Sequence, residues 1–100
     1  MAKVARTYYG SGELLSEVFI IDEKKNGMYK LYFKNGQFWS ICSYIDDKMH
    51  GKYKSYYENP CGQLKLICTY MNDNIHGEYK RYHQNGQLSN SIIYNELYEK

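Results

Sequence analysis

Residues 50–56 read "HGKYKSY" and residues 76–82 read "HGEYKRY". A third version, "NGMYKLY", stands at 26–32. The echo runs through the whole chain once it is aligned on glycine. Gly12, Gly36, Gly62 and Gly86 follow one another at intervals of 24, 26 and 24 residues, and Gly27, Gly51 and Gly77 at 24 and 26. The two extra residues fall in one place, where "ENPCGQL" at 58–64 replaces the "KNGQF" of 34–38 and the "QNGQL" of 84–88. Self-similarity at a fixed period marks a repeat architecture, in which each unit is one supersecondary element stacked on the next. The expected organisation is a single domain over 1–100 with units near 4–27, 28–51, 52–77 and 78–100.

The unit reads as a β-hairpin. Asn35-Gly36 and Asn85-Gly86 separate strand-like runs, and Asn-Gly suits a two-residue hairpin turn because both central residues need positive φ. The runs between turns are rich in Tyr, Ile, Phe and Val, which fit a pleated, half-buried surface. No stretch has a helical period. Eight strands are expected near 3–9, 14–22, 28–34, 38–45, 52–58, 64–71, 78–84 and 88–94. Short connections make sequence neighbours spatial neighbours, so the fold class is all-β, a single antiparallel meander.

Registers follow from turn lengths. A two-residue turn at 35–36 pairs Phe33 with Phe38, Leu31 with Ser40 and Tyr29 with Cys42. A four-residue loop at 47–50 pairs Tyr44 with Tyr53 and Cys42 with Ser55. Together they place Tyr29, Phe33, Phe38, Tyr44, Tyr53, Tyr57, Tyr70 and Tyr79 on one face, beside Leu14, Val18, Leu31, Cys68 and Tyr94. The other face takes Lys30, Lys54 and Lys80 among Tyr32, Tyr56, Tyr82, Trp39, Ile41 and Ile67. A single sheet has no second layer to close a core. It must curl, cover itself with its own ends such as "YNELYEK" at 94–100, or pair with another chain.

Composition narrows the function. Hydrophobic residues make up 43% and charged residues 24%, so the chain folds. Thirteen of the hydrophobic residues are Tyr, a side chain that tolerates half-burial. The net charge of +2 falls short of the dense basic patch of a nucleic-acid binder, so no nucleic-acid partner is expected. No 18-residue apolar run, signal peptide or Asn-x-Ser/Thr acceptor occurs, and three Cys is an odd number, which points to a cytoplasmic protein with free thiols.

No cluster carries an obvious chemistry, and neither a cofactor nor a metal is expected. His50 and His76 take one position in successive units and Asn26 takes it in the first. Asn and His both tolerate positive φ, so turn geometry explains all three where a metal explains two. Cys42 and Cys68 are counterparts of Val18 and Ile92, which makes them small core residues. Two strands separate them, about 9.6 Å, beyond the reach of a disulfide. Cys61 stands in the inserted loop. Asp46, Asp47 and Asp73 suit a turn for backbone reasons. No nucleophile–base set or phosphate loop stands out, so the chain is not expected to be an enzyme.

The stretches "YIDDKMHGKY" at 44–53 and "YMNDNIHGEY" at 70–79 resemble the MORN repeat. The longer pattern, Gly-x-Tyr-x-x-Tyr followed by Asn-Gly-Gln-Leu, is similar to the MORN variant of bacterial proteins labelled YwqK-type antitoxins and of giant viruses. The resemblance covers about 8–94. It implies a β-hairpin repeat that binds partners as an adaptor or scaffold, often as a homodimer, in some members with an extended peptide held in an aromatic groove. Asp46 and Asn72 stand where the eukaryotic consensus has glycine. The expected contact surface is Tyr29, Phe33, Phe38, Tyr44, Tyr53, Tyr57, Tyr70 and Tyr79. The alternatives are a peripheral membrane adaptor using Lys30, Lys54 and Lys80, or an antitoxin-like partner of a toxin.

Overall fold

A computed structural model of the chain describes residues 1–58 and 62–94. Pro60, Cys61 and all but the first residue of "YNELYEK" lie outside the described residues, and so do the expectations placed on them. The eight expected strands are present as β1 (Ala2–Tyr8), β2 (Leu14–Ile21), β3 (Lys24–Tyr32), β4 (Phe38–Ile45), β6 (Gly51–Tyr56), β7 (Leu64–Met71), β9 (Gly77–Tyr82) and β10 (Leu88–Tyr94). Two short strands, β5 (Lys48–Met49) and β8 (Asn74–Ile75), extend the partners of β4 and β7 around the turns. One open antiparallel sheet runs in chain order from β1 to β10. Its extents are 41 × 37 × 14 Å, one layer thick. A radius of gyration of 15.1 Å exceeds the roughly 13 Å of a compact 100-residue domain.

Two kinds of turn alternate along the meander, and the tight one is not where Asn-Gly suggests. Both central residues have positive φ at Asp22-Glu23 (51° and 70°), Asp46-Asp47 (46° and 70°) and Asn72-Asp73 (49° and 72°). These are type I′ turns, whose twist matches that of the strands. At Phe33–Gly36 the Gly36 N–H donates to the Phe33 carbonyl at 2.9 Å and Phe33 N–H donates to the Gln37 carbonyl at 2.8 Å, with only Gly36 at positive φ (91°). That is a type I turn closed by a left-handed glycine. The same pair of bonds recurs at Tyr9–Glu13 and His83–Gln87.

Two kinds of irregularity set the registers. The strand after each glycine turn carries one extra residue: Leu15, Trp39, Lys65 and Ser89 are the bulged positions. Tyr29–Cys42 and Leu31–Ser40 pair as expected, but the bulge at Trp39 sets Phe38 opposite Tyr32 instead of Phe33. Phe38 therefore belongs to the lysine face, a one-residue shift being enough to change sides. A second, two-residue bulge follows each type I′ turn, at His50-Gly51 in the second hairpin. It replaces the expected Tyr44–Tyr53 and Cys42–Ser55 pairs by Tyr44–Met49 and Ser40–Ser55. Two residues preserve the alternation, so the facial assignment of Tyr44, Tyr53, Cys42 and Ser55 stands. His50 and His76 have ordinary φ; the positive φ falls on Gly51 (106°) and Gly77 (85°). A Cβ on Gly51 would lie 2.7 Å from Ser43 Oγ.

The core is small. Among the described residues the buried ones are Ser16, Val18, Ser40, Cys42, Ser55 and Cys68, all on the tyrosine face by register.

Candidate functional site

The tyrosine face is built from three lines of residues running across the strands. The innermost is small: Ser16, Ser40 and Ser55, with Leu31 between Ser16 and Ser40 and Leu66 beyond Ser55. The Thr7 and Ser16 hydroxyls share a short hydrogen bond within it. The next line alternates Val18, Tyr29 and Cys42, and Tyr53 with Cys68. The third pairs Tyr44 with Gly27, Tyr70 with Gly51 and Tyr94 with Gly77.

This geometry brings the expected tyrosines together. Ring centroids are 5.7 Å apart for Tyr29–Tyr44, 5.9 Å for Tyr53–Tyr70 and 6.1 Å for Tyr79–Tyr94. Tilted and edge-on pairs at this range are favourable beyond their buried area. Lys25 Nζ lies 5.2 Å from the Tyr29 centroid and 5.0 Å from that of Tyr44, capping the first pair with a cation. Burial raises the hydroxyl pKa of Tyr44, Tyr53 and Tyr70 above the ordinary 10.0. For Tyr53, hydrogen bonding from Ser40 and Ser55 partly offsets that rise. Burial also pushes the Cys42 thiol up to about 11 and that of Cys68 above 9.0. Both are free cysteines, with β6 between their strands. A protonated thiol is a weak nucleophile and a poor ligand, so these two behave as small apolar floor residues.

The remaining expected residues scatter. Tyr57 is half-buried and its hydroxyl donates to the Tyr82 carbonyl at 2.7 Å, linking two hairpins. Tyr9 does the same to Tyr32, also at 2.7 Å. Phe33 occupies the equivalent position, has no hydroxyl, and stacks on Trp39 at 5.7 Å. Phe38 stacks on Tyr32 at 5.2 Å, on the lysine face. The bonds of Tyr9 and Tyr57 were legible in principle from their spacing to Tyr32 and Tyr82, whereas Lys25 carries no signal in the repeat because no other unit has its counterpart over a ring.

Lys30, Lys54 and Lys80 fall in one line on the opposite face, alternating with Ile41 and Ile67. Among the described residues no group of three His, Cys, Asp or Glu converges as a metal site would require. Nor, among the described residues, is any helix long and apolar enough to cross a membrane.

A family model described as the MORN repeat variant matches three consecutive stretches, residues 25–46, 49–72 and 75–96. The hairpin of β1 and β2 lies outside those matches, yet its turn makes the same hydrogen bonds as those at Gly36 and Gly86. No curated protein and no solved structure matches the chain. Three matched repeats cover most of its length, in the hairpin meander seen here: the chain belongs to the MORN repeat variant family.

Proposed function

We propose that the protein is a non-enzymatic scaffold that self-associates through its tyrosine face. MORN repeats are binding modules for proteins or membranes, and the family is of a non-catalytic type. One observation carries the reading further: the half-buried tyrosine row from Tyr29 to Tyr79 lies on a sheet only 14 Å thick. Aromatic rings that already exclude water from one side lose little freedom when a partner covers the other. A face 41 Å by 37 Å is on the order of 1,500 Å² in outline, nearly twice the 800 Å² per partner of a standard interface. A second copy offers the same aromatic surface under two-fold symmetry.

Sedimentation across a concentration series tests this. A dimer is expected for the native chain. Tyr53→Asp and Tyr79→Asp should each weaken it at least about thirtyfold, as loss of a central aromatic anchor does. Tyr79→Ser, with less charge to bury, separates a lost contact from a lost fold, which circular dichroism monitors. A native chain that stays monomeric at all concentrations overturns the proposal.

A further inference from the structure

The lysine face has a periodicity of its own. Glu17, Lys30, Ile41, Lys54, Ile67 and Lys80 stand directly opposite one another on successive strands. Each lysine is two strands from the next, about 9.6 Å. Two residues along the same strands, Tyr32, Tyr56 and Tyr82 form a parallel line. Phe38 joins it, with centroids 5.2 Å from Tyr32 and 6.5 Å from Tyr56. The acids nearby are engaged at the ends of the lysine line: Glu17 lies 2.8 Å from Arg6 and 3.9 Å from Lys30, and Glu78 lies 3.5 Å from Lys80. Among the described residues Lys54, at the centre, has no acidic partner. The Lys30 and Lys80 side chains are only about one-third exposed (34% and 35%), so their stems lie along the sheet.

We propose that this face docks an acidic segment of another protein in the polyproline II conformation, with one carboxylate in every third position. Charge complementarity selects the acid, and spacing selects the conformation. A polyproline II helix repeats a face every three residues, about 9.3 Å, so it drifts from the lysine line by only about 0.6 Å across two intervals. An extended strand repeats a face every two residues, about 6.8 Å, and misses the middle lysine by about 2.8 Å. An α-helix returns to a face after seven residues, about 10.5 Å, and drifts by about 1.8 Å. The Tyr32–Phe38–Tyr56 stack supplies the aromatic surface on which proline rings pack. A membrane is the competing ligand for the same lysines. A line one lysine wide, with acids engaged at both ends, matches a linear anion better than a plane of headgroups. The docking uses the opposite side from the proposed dimer contact and does not depend on it.

The test compares three probes on the full chain. One is a peptide of Glu-Pro-Pro triplets. The second has the same composition with its glutamates grouped at one end. The third is vesicles containing phosphatidylserine. The triplet peptide should bind at least about fivefold more tightly than the grouped one. Amide shifts should concentrate on β3, β6 and β9, and added salt should weaken binding. Lys54→Gln, at a half-exposed site, should lower triplet affinity about three- to fivefold without altering the fold. Equal binding of the two peptides removes the spacing claim. Vesicle binding with no peptide binding hands the surface to a membrane, and no binding to any probe overturns the proposal outright.

Discussion

Cys42 and Val18 hold the same place in successive hairpins, and the difference between them sets how the protein meets alkali. The Cys42 thiol ionises at about 11 in the fold against an ordinary 9.0. A raised folded pKa means that the contribution of the buried thiol is complete below pH 9 and is lost as pH climbs towards 11. Tyr44, Tyr53 and Tyr70, raised in the same direction by burial, add to the loss above pH 10. Stability should therefore be flat near neutrality and fall between pH 9 and 11. Cys42→Val, which repeats the choice made at Val18, should reduce that fall by about 1–2 kcal/mol in urea melts; an unchanged pH profile would show that the thiol ionises without disturbing the floor. That Cys42 belongs to the core was legible, because its counterparts are Val18 and Ile92. The residue bearing the turn strain was not. Asp46, Asp47, His50 and Gly51 crowd six positions, and all tolerate positive φ. The sequence points to His50, whereas φ is positive at Asp46, Asp47 and Gly51. Asp46 and Asn72, in place of the consensus glycine, are thus conservative changes, since Asx residues visit the left-handed region most readily after glycine.

At the scale of the element, strand number, order and approximate limits were readable from turn spacing and β-rich composition, because both depend on local chemistry. Facial position was readable wherever no one-residue bulge intervened. Tyr29, Tyr44 and Tyr53 kept their side because a two-residue bulge preserves alternation, while Phe38 changed side because the bulge at Trp39 adds one residue. A bulge has no composition of its own: Leu15, Trp39, Lys65 and Ser89 share no chemistry. The links between hairpins were equally hidden. Lys25 N–H donates to Asp47 Oδ1 at 2.8 Å, and Met49 N–H donates to Asp73 Oδ1 at 2.8 Å, so each type I′ turn reaches back to the preceding one. The Asp47 and Asp73 amides return bonds of 3.0 Å to the Lys25 and Met49 carbonyls. Substitutions at Asp73 separate the two roles of the side chain. Asp73→Asn keeps both the acceptor and the left-handed tolerance and should cost little. Asp73→Gly keeps only the backbone freedom and should cost about 1 kcal/mol. Asp73→Ala loses both and should cost about 2 kcal/mol. Equal melts for the Asn and Gly variants would mean that the link contributes nothing.

For the whole molecule, the consequence of a single layer is that every hairpin depends on its neighbours and on nothing else. Among the described residues no second sheet crosses the meander and no large side chain is fully buried. The links from Tyr9, Tyr57, Asp47 and Asp73 all join adjacent hairpins. Stability in such an array is a sum of unit and nearest-neighbour contributions, so it is greatest where a strand has partners on both sides and a buried floor beneath it. Those strands are β2, β4, β6 and β7, which carry Ser16, Val18, Ser40, Cys42, Ser55 and Cys68. The terminal strands carry none: β10 is exposed along its whole length and β1 at all but one residue. Native-state hydrogen exchange should reveal this as a gradient, with the slowest amides of β2, β4, β6 and β7 exchanging about a hundredfold more slowly than those of β1 and β10. A face-to-face dimer keeps the gradient, since covering the tyrosines leaves both edges open. Uniform protection from β1 to β10 would contradict nearest-neighbour stability, and would mean that the open edges pair with another chain rather than with water.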